Sequence, residues 1–377
     1  MNDLKIPFYK FESSREAHSN VSDALDGEDI DHVELLEEEF CDYIGCSYAL
    51  ATSHGTSALH LAMLALDLKR GDKVICSVNA HPSVPEVVRH FDAEPIFIDI
   101  EEGSYNISLN KLENYLEDNK SKKLKAVIVT HIGGVSVDLE RVYAMAKIYG
   151  VKIVEDASDA LGATYKGEKI GATGADIVCF DFSSHLKKNI CNGGMLVTDN
   201  EDIIARARLL ANHAISRDES AVLEYIYDVV DIGNDYSISQ LNAAYIRAQV
   251  ADQDKSIERQ KEIAQIYNER LAGVAHITLP SADIEENPCS LYIIKIDKNR
   301  DSFALQLSEE GIGSGLHYIP LHLLSYYKTK YSLRVNDFPI ALRSFQQILS
   351  LPINASMSDK DVESVVSAIK KIAKTRV

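Results

Sequence analysis

Residues 125–157 read KAVIVTHIGGVSVDLERVYAMAKIYGVKIVEDA and contain one strand–helix–strand unit. The runs Lys125–Ile132 and Val151–Val154 are short and rich in Val and Ile, which is typical of strands buried on both faces. Between them, Leu139–Tyr149 has the pattern of a helix, and Gly150 separates it from the second run. This order predicts two parallel strands joined by a helix.

The same alternation extends on both sides of this unit, from about residue 70 to about residue 200. Further runs of strand-like length and composition are Lys73–Val78, Pro95–Ile100, Asp176–Phe182 and Met195–Thr198. We therefore predict an α/β fold with a mostly parallel central sheet that is covered by helices. Ligands of such sheets bind beyond the carboxyl ends of the strands, so we expect the chemistry just after each run.

The sequence pattern changes in the C-terminal part of the chain, after Pro280. A long charged helix is predicted from near Ser239 toward Leu271, and it could connect two domains. Beyond it lie a predicted strand at Leu291–Asp297 and predicted helices at Ser302–Glu310 and Asp359–Ile372. We predict a large domain at residues 1–250 and a smaller C-terminal α+β domain at residues 251–377.

Composition excludes several classes of function. The 377 residues include 57 Asp and Glu against 39 Lys and Arg, a formal charge of −18. Such a charge repels nucleic-acid phosphates and anionic lipids, so neither a nucleic acid nor a membrane is the expected partner. The sequence has no apolar run of about 18 residues and no export signal at its start, so the expected compartment is the cytoplasm. The six cysteines form no metal-binding pattern, and no metal site is predicted.

Three polar segments follow predicted strands or precede helices. The first, Ala51–Leu59, places Gly55, Thr56 and Ser57 at the start of an apolar helix, where backbone amides could bind a phosphate. An ordinary helix cap would explain the same residues. The second ends a strand with Asp156, which could pair with a cationic ring nitrogen of a cofactor or cap the next turn.

The third segment runs from Asp181 to Gly194 and contains Ser183, Lys187 and Lys188. A lysine beside hydroxyl groups just after a strand could act as a Schiff-base nucleophile, although paired lysines are also common on solvated surfaces. The order of the three segments along the chain favours the chemical interpretation.

At these residues the chain resembles the fold-type-I, pyridoxal-phosphate-dependent sugar aminotransferases of the DegT/StrS type, from about Leu35 to Ile372. The matching motifs are Gly55–Ala62, Gly71–Ile75, Val154–Ala157, Asn212–Asp218, Gly313–His322 and Leu349–Pro352. The resemblance implies a fold-type-I transferase with pyridoxal 5'-phosphate as its cofactor.

Carried over position by position, the resemblance implies catalytic roles for Lys188 and Asp156. Lys188 matches the lysine that binds the cofactor covalently and moves the proton. Lys187 is kept as an alternative for this role, because the loop that follows is shorter than in the family. Asp156 matches the carboxylate that keeps the cofactor ring protonated.

Further cofactor contacts implied by the resemblance are Gly55, Thr56, Ser57 and Ser183 around the phosphate, His81 stacked on the ring, and Asp159 near the ring's 3-oxygen. His81 stands where the family usually has an aromatic residue, and Asp159 stands where it usually has Gln, His or Glu. Asp235 occupies the position where the family usually has a phosphate-binding Asn. Asn234 is therefore expected to reach the phosphate of a neighbouring subunit instead. The implied substrate contacts are His185, His317, Tyr318 and His322.

The implied activity is transfer of an amino group from glutamate to a keto sugar by a homodimer with active sites at its interface. The expected acceptor is a nucleotide-linked keto-deoxy sugar. Such a reaction would serve amino-sugar or surface-polysaccharide biosynthesis. Two alternatives stay open: a sugar dehydratase of the same family, which would carry His in place of the lysine, and a non-catalytic cofactor-binding homologue.

Overall fold

The computed structural model describes residues 4–10, 13–27, 29–183, 191–217 and 226–375. Its strands are β1 (Tyr48–Thr52), β2 (Lys73–Ser77), β3 (Glu94–Ile98), β4 (Leu124–Thr130), β5 (Lys152–Asp156), β6 (Thr164–Tyr165), β7 (Glu168–Lys169), β8 (Ile177–Asp181), β9 (Gly194–Thr198), β10 (Ile215–Ser216), β11 (Asp228–Val229), β12 (Ile277–Thr278), β13 (Tyr292–Ile296) and β14 (Ile348–Leu351).

The helices are α1 (Arg15–Asp26), α2 (His32–Ile44), α3 (Gly55–Ala65), α4 (Ser83–Arg89), α5 (Leu109–Asp118), α6 (Leu139–Tyr149), α7 (Glu201–Leu210), α8 (Gln240–Ala251), α9 (Gln253–Leu271), α10 (Arg300–Glu309), α11 (Ser325–Lys330), α12 (Pro339–Gln347) and α13 (Asp359–Thr375). Among the helices in the described ranges, none is long and apolar enough to cross a membrane.

Within the described residues, seven strands form the central sheet in the order β1-β9-β8-β5-β4-β2-β3. The pairs β2–β3, β2–β4, β4–β5 and β5–β8 are parallel, whereas β9 runs antiparallel to both β1 and β8. The predicted mostly parallel sheet is therefore confirmed. Since β1 and β8 both oppose β9, they point in the same direction as β5, and their carboxyl ends meet at one edge.

Helices cover both faces of this sheet. Along β4, Ala126 and Ile128 pack with helices α3, α4 and α7, whereas Val127 and Val129 pack with α2, α5, α6 and α8. Successive strand residues point to opposite faces, so this alternation requires apolar residues throughout the strand. It explains why the continuous Val- and Ile-rich runs were recognisable as strands.

Helix α6 shows how local sequence sets the ends of an element. Asp138 accepts a hydrogen bond from the amide of Arg141 at the start, and Gly150 ends the helix with a φ of 68°. Only glycine adopts this left-handed conformation without strain, so the chain can turn directly into β5.

The long helix predicted between Ser239 and Leu271 is wrong in one respect: it is two helices. Helix α8 ends at Ala251, and Asp252 has φ −89° and ψ 1°, outside the α-helical region. Helix α8 packs on α1 and α2, whereas α9 contributes Tyr267 and Leu271 to the core around β13 and β14. The two helices therefore pack in different parts of the core.

Asp99, directly after β3, joins the central sheet to α12. Its carboxylate is buried and accepts hydrogen bonds from the amides of Ile340 (3.2 Å) and Ala341 (3.0 Å) in the first turn of that helix. Lys111 Nζ lies 2.6 Å from the same carboxylate. Asp99 thus caps a helix that is distant in sequence.

We expect Asp99→Ala to lower the free energy of unfolding by about 2–3 kcal/mol, because two helix amides lose a charged acceptor. Urea denaturation measures this loss. Glu140→Ala, which removes an exposed carboxylate paired with the exposed Lys166, is the control and should change stability much less. Equal effects of the two substitutions would refute the capping role.

Candidate active site

The carboxyl ends of β1, β5 and β8 bring the predicted site segments together. A side-chain Cβ on Gly55, at the start of α3, would lie 2.5 Å from Cβ of Asp181, at the end of β8. A Cβ on Gly194 would lie 2.4 Å from the carbonyl oxygen of His54. Both positions therefore need glycine, which lets the start of α3 pack directly against β8 and β9.

The first turn of α3 presents Gly55, Thr56 and Ser57 at this edge. Thr52 Oγ1 donates to the carbonyl of His54 at 3.0 Å, and the hydroxyl groups of Ser53 and Ser57 are 3.0 Å apart. In the part of the chain that the structure describes, the His54 side chain does not cap the first amides of the helix. Free amides at a helix start favour a bound anion such as a phosphate.

Asp156 ends β5 with its side chain buried and hydrogen-bonded. One carboxylate oxygen accepts from Thr130 Oγ1 at 3.2 Å, and the other accepts from Ser158 Oγ at 2.6 Å and the Ser158 amide at 3.3 Å. The contact with the Ser158 amide is a turn cap, which is one of the two interpretations that the sequence left open. Three donors fix the carboxylate in one orientation.

Asp159 lies one turn further on, buried beside Gly133. Its Oδ2 accepts from the Gly133 amide at 3.1 Å. Its negative charge raises the pKa of two phenol groups, those of Tyr9 and Tyr318. Both tyrosines come from chain segments outside the central sheet.

His81 lies after β2 and has an exposed side chain. Its Nδ1 accepts the Ser83 amide at 3.3 Å and lies 2.8 Å from Ser83 Oγ. Because an amide can only donate, Nδ1 carries no proton, and the proton of the neutral ring is on Nε2. The ring lies 6.0 Å from that of Tyr318, edge to face.

Tyr318 reaches this edge from the C-terminal part of the chain. Its amide donates to Asn79 Oδ1 at 3.2 Å, and the preceding His317–Tyr318 peptide bond is cis. Burial raises the pKa of Tyr318 well above its ordinary value, and the charges of Asp159, Asp156, Tyr9 and Asp181 raise it further. The hydroxyl group therefore stays protonated opposite three carboxylates.

The two other histidines of this motif lie differently. His317 is buried, with Nδ1 3.0 Å from Ser350 Oγ. His322 has no exposed surface; its Nε2 lies 3.2 Å from the Val335 carbonyl, its ring lies 5.0 Å from that of Phe338, and burial lowers its pKa. In this arrangement the His322 ring is a packing group, and the described contacts give no support to its predicted role at the substrate.

The candidate residues His185, Lys187 and Lys188 lie outside the described residues. Ser183 precedes that stretch, and its amide donates to Asp181 Oδ1 at 2.6 Å.

Asn234 is exposed, and its side chain accepts from the Asp235 amide at 3.0 Å. Hydrogen bonds from Ser237 lower the pKa of Asp235 and hold its carboxylate within its own turn. The next carbonyl, that of Tyr236, accepts from the amide of Ser53 at 2.8 Å, beside α3 of the same chain.

A cleft of about 760 Å³ opens at this edge and includes Asp159, Asp181 and Ser183. The sequence had not pointed to two residues here, Tyr9 and Ser158. Ser158 could have been found from its place two residues after Asp156, a spacing typical of a side-chain turn cap.

The donor set fits pyridoxal phosphate. The start of α3 and Ser183 would hold the phosphate, His81 would lie against the ring, and the buried Asp156 carboxylate would face a protonated ring nitrogen. Asp159 would lie near the remaining polar edge of the ring.

Comparison with known proteins gives matches over nearly the whole chain. A model of the DegT/DnrJ/EryC1/StrS aminotransferase family matches residues 13–370. The spore coat polysaccharide biosynthesis protein SpsC of Bacillus subtilis is 33% identical over 355 residues, which are 91% of this chain and 90% of SpsC.

Two solved structures share the fold. The putative sugar aminotransferase Spr1654 of Streptococcus pneumoniae superposes with a TM-score of 0.90 at 23% identity, covering 98% of this chain and 99% of that one. DesV of S. venezuelae superposes with a TM-score of 0.85 at 25% identity, covering 96% and 95%. The chain belongs to the DegT/DnrJ/EryC1/StrS aminotransferase family and is a pyridoxal-phosphate-dependent sugar aminotransferase.

Proposed function

We propose that the protein transfers an amino group from L-glutamate to a nucleotide-linked keto sugar. The observation that carries this proposal is the buried Asp156 carboxylate, fixed by three donors at the sheet edge where α3 and Ser183 would hold a phosphate. When bound, pyridoxal phosphate acts as the electron sink and carries the amino group between the two substrates. SpsC, named for spore coat polysaccharide biosynthesis, supports a role in making an amino sugar for a surface polysaccharide.

Each side chain of the site has a distinct task in this proposal. Asp156 holds a proton on the ring nitrogen, and Lys188 moves a proton at the substrate carbon that bears the nitrogen. His81 packs on the ring, and Tyr318 closes the site as a neutral phenol. The lysine pair 187–188 favours amino transfer over the dehydratase alternative, in which histidine replaces the lysine.

The outer part of the cleft supports a nucleotide-linked acceptor. Lys10, Lys255 and Arg259 line it, together with the starts of α1 and α9 and the acid Asp252. In a chain with a formal charge of −18, Lys10 and Lys255 beside these helix starts would supply local positive charge for a diphosphate, whereas Arg259 is already paired with Glu262 and Asp359.

Adding L-glutamate to the protein loaded with pyridoxal phosphate tests the proposal. We expect the absorbance of the bound cofactor to shift to that of pyridoxamine phosphate, with one 2-oxoglutarate released per site. An absorbance that responds to no amino acid would refute amino transfer and favour the non-catalytic alternative. A shift with another amino acid only would refute glutamate as the donor.

We also propose that the working unit is a homodimer. Large apolar side chains lie exposed in and beside β11: Ile226 (55%), Tyr227 (57%), Val229 (53%), Val230 (55%) and Ile232 (81%). Several large exposed apolar side chains in one short segment are typical of a protein–protein interface, and Asn234 follows this segment two residues later. Sedimentation equilibrium should give twice the chain mass of 41.8 kDa, and a monomer mass would refute the proposal.

A further inference from the structure

The amino-terminal segment, residues 4–10, is attached to the C-terminal part of the chain. The Ile6 amide donates to the Gly311 carbonyl at 3.0 Å, and the Gly313 amide donates to the Ile6 carbonyl at 2.8 Å. Ile6 is buried in the same core as β13, β14 and α13. A Cβ on Gly313 would lie 2.4 Å from the amide nitrogen of Phe8, so glycine is needed for the segment to approach. These contacts fix the position of the residues that follow.

A series of packed rings continues from this segment to His81. The centroid distances are 4.4 Å from Tyr9 to Phe8, 5.6 Å from Phe8 to His317, 5.3 Å from His317 to Tyr318 and 6.0 Å from Tyr318 to His81. Packed rings at such distances hold one another in place. Tyr9 and Tyr318 are therefore positioned together relative to the sheet edge.

Tyr9 faces the same space as the carboxylates of the site. It lines the cleft with Ser158, Asp159, Asp181 and Ser183. Electrostatic interactions with Tyr9 and Asp159 both raise the pKa of the Tyr318 hydroxyl group. Burial, reinforced by the charge of Asp159, raises the pKa of Tyr9 well above its ordinary value. Its hydroxyl group is thus a neutral donor, which can bind a carboxylate or hydroxyl group without adding negative charge.

We propose that Tyr9, held by the amino-terminal segment, is a substrate-positioning residue whose hydroxyl group donates a hydrogen bond to the substrate in front of Asp159. The inference rests on the proposed function, in which glutamate and the sugar bind in turn at one site. Glutamate brings two carboxylates into a pocket that is already lined by acidic side chains. A neutral hydroxyl donor can form a hydrogen bond with one of these carboxylates without adding negative charge.

Tyr9→Phe tests this role with L-glutamate as the probe. We expect the half-saturating glutamate concentration of the half-reaction to rise about tenfold, which corresponds to the loss of one hydrogen bond. The limiting rate should stay within about threefold, because the groups that move protons are untouched. The calorimetric dissociation constant of pyridoxal phosphate should not change.

Tyr292→Phe is the matched control. It removes the phenol hydroxyl of a residue in β13, which donates to Asn268 Oδ1 at 2.6 Å, so we expect a lower melting temperature and unchanged glutamate saturation. Unchanged saturation in Tyr9→Phe would overturn the inference, as would an effect that follows cofactor loss or melting temperature. A wild-type protein that does not convert glutamate would instead refute the proposed function.

Discussion

Replacing Lys188 with alanine should abolish amino transfer, with a fall in the rate of the glutamate half-reaction of about 10⁴-fold or more. The lysine is expected both to bind the cofactor covalently and to move the proton, and alanine can do neither. Stopped-flow absorbance after mixing the loaded protein with L-glutamate measures the rate. Melting temperature measured without cofactor should stay close to that of the wild type if the role is chemical.

Lys187→Ala is the matched control, because it removes the same charge one position earlier. We expect this variant to keep its rate within about tenfold, since a lysine that does not bind the cofactor contributes little to the chemistry. Borohydride reduction followed by peptide mass mapping should place the cofactor on residue 188 in the wild type and in Lys187→Ala. A label on residue 187, or an active Lys188→Ala variant, would show that the assignment between the two lysines is wrong.

The central sheet could be predicted well from local sequence, except for its antiparallel part. Strands β2, β4 and β5 lie within two residues of the predicted runs at their starts, because each is apolar on both faces. Strand β1 was missed, and the direction of β9 was not predicted. An apolar run looks the same whether it pairs parallel or antiparallel, so direction depends on contacts with the rest of the fold.

The place of a candidate site residue in the fold was predictable where a single short segment determines it. Asp156 is such a case, since a strand end determines where its side chain lies. Tyr9 is the opposite case, because it reaches the cleft only through the pairing of Ile6 with Gly311 and Gly313. His322 shows a third case: its motif gives the residue type but not the direction of its ring, which lies against Phe338.

Glu155, next to Asp156 in β5, offers a control for the second large effect. It is fully buried on the opposite face of the strand and accepts from Tyr143 OH at 2.5 Å. The Val137 amide donates to His131 Nδ1, so His131 Nε2 carries the proton and donates to Glu155 at 3.2 Å. Glu155→Gln disturbs this network, and we expect it to cost about 2–4 kcal/mol of stability while amino transfer per bound cofactor stays nearly unchanged.

Asp156→Asn should have the opposite pattern: little loss of stability, and a fall in the rate of the glutamate half-reaction of about 10³-fold. Asparagine has nearly the same shape, keeps an oxygen for the Ser158 donors and can donate its amide to the Thr130 hydroxyl oxygen, but it has no charge to hold a proton on the ring nitrogen. Urea denaturation and stopped-flow absorbance, applied to both variants, measure the two effects. The absorbance of the bound cofactor should also change its pH dependence in Asp156→Asn and keep it in Glu155→Gln, which a purely structural role of Asp156 would not produce. If Asp156→Asn transfers amino groups at the wild-type rate, the carboxylate does not control the ring nitrogen.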